Sequence, residues 1–143
     1  MTSPALTPIF LTMREAVEAS GLSEDTLRYY EKLGLVMPER DRSSNHRRYS
    51  EQQMRWLKFL IHLRSTGMPL EKIQRYVQLA LQGEESAPQR KAILEEHHQQ
   101  IQEQIQKLQQ SSAAIELKLQ HYDDIERALR KGDVQEVVGR ELD

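Results

Sequence analysis

The stretch TLRYYEKLGL, residues 26–35, decides how this chain is read. Ser23 in front of it suits a helix N-cap, because its hydroxyl can accept from an orphan N–H of the first turn. Glu24 and Asp25 follow, where the helix dipole favours acid. Gly34 stops the helix after Leu33. Leu27, Tyr30 and Leu33 fall on one face at i, i+3 and i+6 spacing, so Arg28 and Tyr29 point away from it. Water is a poor partner for a tyrosine ring. Two readings are open at this point. Either Tyr29 packs on neighbouring protein while Arg28 pairs with Glu24, or both side chains meet a nucleic acid.

Working outward, Thr12 and Glu15 have capping-box spacing and open a short helix to about Ser20. Met13, Ala16 and Val17 form its apolar face, Gly21 breaks it, and Leu22 plugs the turn. Two short helices joined by a tight Gly-containing turn make a helix-turn-helix. In GLVMPERDRSSNHRRYS, residues 34–50, Pro38 excludes a helix interior. The spacing predicts a small hairpin with arms at 40–42 and 47–49, and Asn45, which tolerates positive φ, at its tip. Ser50 caps a third helix, with Met54, Leu57, Phe59, Leu60, Ile61 and Leu63 as its apolar positions and Gly67 at its end. Pro69 opens a fourth helix, where its missing N–H costs least. Leu70, Ile73, Val77, Leu79, Ala80 and Leu81 read as the buried side of that helix, and Gly83 closes it.

GEESAP, residues 83–88, reads as a hinge. Beyond it, residues 89–122 contain no Gly or Pro. Leu94, Ile101, Leu108, Ile115 and Tyr122 recur every seven residues as d positions, with His98, Ile105, Ser112 and Leu119 as a positions. Such a seam cannot be buried by one helix alone, and a second copy of the chain is the simplest partner. The expected organisation is an N-terminal tail (1–9), a DNA-binding domain (10–82), the hinge (83–88), a coiled-coil dimerisation helix (89–123) and a short C-terminal tail (124–143). Another turn or two of helix is expected at 124–131.

Composition narrows the function. The 143 residues include no cysteine, which excludes disulfides, iron–sulfur clusters and thiolate metal sites. No run is apolar and long enough to span a membrane, and the first residues do not read as a secretory signal, so the cytoplasm is the expected compartment. The net charge of −2 conceals an asymmetry. Residues 1–83 carry 12 Lys/Arg and 9 Asp/Glu, whereas residues 84–143 carry 8 and 13. Residues 40–58 hold six basic side chains against two acidic ones, a local patch suited to an anionic partner. There is no Gly-rich phosphate loop and no nucleophile–base arrangement, so an enzyme is not expected.

A recognition helix reads DNA with side chains near its N-terminus, and arginine bonds guanine at two atoms. Thr26, Arg28 and Tyr29 occupy that position here. Arg47 and Arg48 alternate across a strand, so one lies on phosphates while the other braces the base of the wing, and Tyr49 either enters the core or reaches a phosphate. Basic helix, basic wing and dimerising coiled coil together describe a two-fold reader of duplex DNA. The rival from another class is a coiled-coil adaptor whose basic domain is incidental.

Residues 10–79 closely resemble the DNA-binding domain of MerR-type transcriptional regulators. DTLRYYEKLGL, the Arg and Tyr of HRRYS, and LKFLIHLRSTGMPLEKI carry the likeness. The resemblance implies a mainly α protein with a winged helix-turn-helix and a long helix that forms an antiparallel coiled coil in a homodimer. It implies binding to pseudo-palindromic promoter DNA with an over-long spacer, distorted so that RNA polymerase engages both elements. By position it gives Thr26, Arg28 and Tyr29 as recognition-helix contacts, Arg47 with Tyr49 supporting it in the first wing, and Arg64 to Gly67 as a second wing. Asn45-His46 stands where the family usually has Gly-Tyr.

The resemblance implies thiolates in the family's metal sensors, and this chain has none. Some 60 residues after the hinge leave no room for the large effector domain of multidrug-type members. Histidine remains. In an antiparallel pair, His97 or His98 of one chain approaches the partner's His121, and neutral imidazoles suit nickel, zinc or cobalt. The alternative is that His98 fills a seam position and the other two are solvated.

Overall fold

The computed structural model describes residues 9–132. The N-terminal tail assigned to residues 1–9 therefore falls almost wholly outside the described residues, as does the end of the C-terminal tail, 133–143. The chain divides into two compact units, 1–97 and 98–143.

The first unit begins with strand β1 (Phe10–Leu11) and helix α1 (Met13–Ser20). The capping box forms in full: the Thr12 side chain accepts from Glu15 N–H, and the Glu15 carboxylate accepts from Thr12 N–H. Gly21 ends the helix at φ 75°, which a Cβ would disfavour, and its N–H returns to the Val17 carbonyl. Helix α2 (Glu24–Lys32) opens under Ser23, whose Oγ accepts from Thr26 N–H. Strands β2 (Glu39–Arg40) and β3 (Arg47–Ser50) form the hairpin, with Asn45 at φ 59° in its tip. Helix α3 (Glu51–Ser65) starts under Ser50, and α4 (Leu70–Leu81) follows Pro69.

One strand was not foreseen. β1 pairs antiparallel with β3, Leu11 opposite Tyr49, so the hairpin is the outer part of a three-stranded sheet ordered β1-β3-β2. The segment after α2 is fastened to α3 by Trp56 Nε1–H, which donates to the Leu35 carbonyl at 3.0 Å, and by a Gln53 amide bond to the Met37 carbonyl.

Leu27, Leu35, Tyr49, Leu57, Leu60 and Ile73 form the centre of the core, each almost fully buried. On α4 the buried stripe is Ile73, Tyr76, Val77 and Leu79. Leu81, read from sequence as buried, is instead exposed, and Tyr76 takes its share of the core by stacking on Trp56 at 5.7 Å. The reason is angular: at about 100° per residue the buried Leu79, Tyr76, Ile73 and Val77 span from about −120° to about +40° of Ile73, and Leu81, at about +80°, falls beyond that edge.

The hinge residues are ordered locally. Gly83 sits at φ 103°, Glu84–Ser86 form a 3₁₀ turn, and helix α5 (Ala87–Arg130) begins directly afterwards. Ser86 is buried, bonds the Leu79 and Gly83 carbonyls, and receives Arg90 Nε–H at 3.0 Å. The helix thus starts before residue 89 and continues to Arg130, through the further turns expected after residue 123. Its opening turns belong to the first unit, through His97.

In the second unit, α5 exposes apolar side chains at the heptad positions. Leu108 and Ile115 are 69% and 61% exposed, and Ile105 and Leu119 are also open to solvent. Among the described residues, no helix is long and apolar enough to cross a membrane.

Candidate nucleic-acid interface

Helix α2 buries Leu27 and Tyr30 and turns Arg28 and Tyr29 outward; the Tyr29 ring is 50% exposed. Both opening readings have a physical footing. Arg28 pairs with Glu24 at 2.8 Å, but each side chain is 53% exposed, and such i, i+4 surface pairs contribute only ~0.3–0.5 kcal/mol. That cost is small beside a bidentate bond to guanine, so Arg28 is available to exchange partners. Thr26 is more committed, because its Oγ1 accepts from the Ser23 hydroxyl at 2.9 Å.

The hairpin stands against α2 because Arg47 Nε donates to Glu31 Oε2 at 2.6 Å, between side chains each only 23% exposed. Arg48, on the opposite face of the strand, lies 3.9 Å over the Phe10 ring and 3.5 Å from Asp41. Both arginines therefore hold the wing, Arg47 to the recognition helix and Arg48 to the sheet below. Tyr49 is fully buried with its hydroxyl 3.9 Å from Met13 Sδ. A fully enclosed ring cannot touch phosphate, so of the two readings of Tyr49 the core one holds, and Tyr49 supports the wing rather than contacting DNA. Burial, then the Glu31 carboxylate, push its phenol above the ordinary range.

Asp41 organises the tip. Its carboxylate accepts from Ser43 Oγ at 2.6 Å, Ser43 N–H at 2.9 Å and Ser44 N–H at 3.1 Å. The two Ser43 bonds, then Ser44 N–H and the Arg48 charge, hold this carboxyl well below the ordinary carboxylate range. Asn45 N–H closes the turn on the Asp41 carbonyl at 2.8 Å. At the second corner, Gly67 adopts φ 103°, and Arg64 is exposed with its guanidinium donating to the Met68 carbonyl at 3.4 Å.

The three histidines have separate surroundings. His97 is buried, with Nε2 2.7 Å from Thr66 Oγ1. The same Thr66 Oγ1 lies 2.6 Å from the His62 carbonyl, so one hydroxyl joins the end of α3 to His97. That nitrogen is engaged, and His97 is a core residue rather than the solvated one expected. His98 is exposed beside Gln102, and the Nε2 of His121 is buried without a hydrogen-bond partner among the described residues. His98 and His121 stand about 35 Å apart along α5. Among the described residues, no three His, Asp or Glu side chains gather as a metal site.

Sequence reasoning missed Arg14 and Arg40. Both line a cavity of about 250 Å³ beside Arg28, together with Arg47 and His46. Arg40 belonged to the basic run, but Arg14, on α1, carried no sequence signal.

A half-exposed arginine–tyrosine pair on a short helix, with an arginine-laced hairpin tethered to its flank, defines a winged helix-turn-helix DNA-binding protein. The MerR helix-turn-helix regulatory family matches residues 11–80, and the MerR DNA-binding family matches residues 54–118. The chain belongs to the MerR family of transcriptional regulators. It is 30% identical to an uncharacterized helix-turn-helix transcriptional regulator of Haemophilus influenzae, over 88% of this chain and 91% of that one. It is 31% identical to the transcriptional regulator AdhR of Bacillus subtilis, over 64% of this chain and 65% of the relative, just short of two thirds of its length. Among solved structures, HiNmlR, a MerR family regulator lacking the sensor domain and bound to promoter DNA, is similar. It gives a TM-score of 0.78 at 31% identity, covering 90% of this chain and 96% of that one.

Proposed function

We propose that this regulator binds an inverted repeat in promoter DNA as a homodimer and adjusts an over-long spacer so that RNA polymerase engages both promoter elements. The observation that carries the dimer is the exposed heptad seam of α5, at Ile105, Leu108, Ile115 and Leu119. Solvent-exposed apolar residues at strict heptad spacing favour burial against an identical helix. Ile101 and Tyr122 extend the same seam, whereas Leu94, also expected in it, packs against the core of the first unit. A dimer in turn presents two α2 helices, which matches a two-fold operator. Arg28 and Tyr29 read bases, and Arg64 adds a phosphate contact at the second wing.

Duplex binding is tested by gel shift over a salt series. A DNA reader loses affinity steeply as salt rises, because phosphates bound by Arg and Lys release counterions. A coiled-coil adaptor shows no such dependence. Spacer distortion is tested by 2-aminopurine placed in the spacer, whose fluorescence rises when the protein unstacks it; an unchanged signal on a bound promoter rejects this part.

The ligands of a divalent-metal effector are His98 and the partner's His121, whose Nε2 lacks a hydrogen-bond partner among the described residues. Equal nickel or zinc affinity in wild type and a His98→Ala/His121→Ala variant rejects it.

A further inference from the structure

We infer that the cavity walled by Trp56 and the segment after α2 is an effector site for a small, uncharged aromatic molecule, whose occupancy alters affinity for DNA. The inference rests on the DNA-binding reading above for its effect and is independent of the histidine site.

The cavity holds about 310 Å³. Residues 34–37, which follow α2, form one wall, and Trp56 of α3 with Val77, Ala80 and Leu81 of α4 form the rest. None of these side chains carries a charge, and Trp56 Nε1–H is already committed to the Leu35 carbonyl at 3.0 Å. Water in such a space lacks the polar partners that hold it, so an apolar group displaces it with a gain in affinity. A charged molecule would enter without a counterion, at a steep cost. An apolar cavity of about 150 Å³ holds one benzene ring. The volume here is therefore on the scale of two fused rings.

The aromatic preference comes from Trp56. Tyr76 stacks on its ring at 5.7 Å but does not line the cavity, so the cavity meets the indole surface that Tyr76 leaves open. That surface favours another ring, edge-on or offset. Met37 and Leu81 are each more than half exposed, and an occupant of the cavity covers both. A protein partner is a poorer fit. A stable interface buries about 800 Å² per partner, and two exposed side chains with part of an indole offer far less. The surface that a second copy takes is the seam of α5, and no seam residue lines the cavity.

The cavity wall is tied to the recognition helix. Gly34 N–H donates to the Glu31 carbonyl at 2.9 Å, and Leu35 N–H donates to the Tyr30 carbonyl at 3.0 Å. The Leu35 carbonyl in turn accepts from Trp56, and the Met37 carbonyl from Gln53. An occupant that displaces Trp56 or Leu35 therefore displaces the end of the helix that carries Arg28 and Tyr29. Such coupling is reciprocal, so bound duplex changes affinity for the small molecule by the same factor.

Trp56 is the only tryptophan in the chain, so its indole N–H gives a single peak in a proton–nitrogen correlation spectrum. The probe is 1-naphthol, and 1-naphthoate, the same rings with a carboxylate, is the charged comparison. The site predicts a saturable shift of the indole peak with 1-naphthol and affinity weaker by about 10-fold or more for 1-naphthoate. Leu81→Asp, at an exposed position, and Ala80→Phe, which fills the space, weaken 1-naphthol binding by a similar factor, and thermal melts confirm that both variants fold. At saturating 1-naphthol, duplex affinity by fluorescence anisotropy changes by about 5-fold or more in wild type and stays constant in Ala80→Phe. No saturable shift, equal binding of the two probes, or unchanged affinity in both variants overturns the site. Binding that leaves duplex affinity unchanged overturns the effector role. A peak that moves with protein concentration alone, and not with 1-naphthol, gives the cavity to a second copy and overturns the proposal. Failure of wild type to bind any duplex rejects the DNA reading and with it the effector role, while the indole titration, run without DNA, still decides the site.

Discussion

Replacing Leu108 with alanine weakens self-association of the chain by an amount that the structure sets. Leu108 is 69% exposed on α5, so pairing removes about two thirds of its surface from water. Full burial of a leucine contributes ~1.5–3 kcal/mol, which gives about 1–2 kcal/mol per chain here and about 2–4 kcal/mol for the pair. Alanine retains the Cβ, and the loss becomes about 1.5–3 kcal/mol, a rise in dimer Kd of roughly 10- to 150-fold. Leu108→Asp adds the cost of two facing carboxylates and leaves monomer. Sedimentation equilibrium measures both, with Gln106→Ala, one residue off the seam and exposed, as the reference. The reasoning is refuted if Leu108→Ala and Gln106→Ala dimerise equally well, or if Leu108→Asp stays dimeric.

Other substitutions separate the parts of the interface. Arg28→Ala weakens binding to the selected operator by ~1–3 kcal/mol and relaxes preference at one base position, read by competition with single-base operator variants. Asp41→Ala frees Ser43 and Ser44, and their amide exchange accelerates while the helices keep their protection. Because the folded Asp41 carboxyl is depressed, its contribution is complete above the ordinary carboxylate range and is lost only as pH falls toward the depressed value. Wing-tip exchange, corrected for intrinsic rates, is therefore the same at pH 5 and 7. Thr66→Val removes the hydrogen-bond partner of the buried His97 Nε2 and destabilises the fold by ~1–3 kcal/mol in urea titration.

Local signals were legible because their chemistry lies within a few residues. The Thr12–Glu15 box, the Ser23 and Ser50 caps and the positive φ of Asn45 all follow from neighbouring side chains and formed as expected. The long helix α5 was legible because residues 89–122 carry no Gly or Pro and an apolar seven-residue period repeats through them. Contacts closed by the fold were not. Glu31 lies 16 residues from Arg47, and Thr66 lies 31 residues from His97, so neither pair leaves a trace in sequence spacing. β1 is only two residues long and exists through β3, too short to announce itself by alternation. Leu81 was misplaced because hydrophobicity outweighed helical phase. The outward direction of Arg28 and Tyr29 on α2 was readable, whereas the partners of the arginines and the walls of the neighbouring cavity needed three dimensions.

The central claim is that two copies of this chain read a two-fold site in duplex DNA. Selection of bound sequences from a random duplex pool by the purified protein tests it most directly. The account predicts an enriched inverted repeat, with each half-site read by one α2 helix. Enrichment of a single half-site, or of no sequence at all, contradicts it.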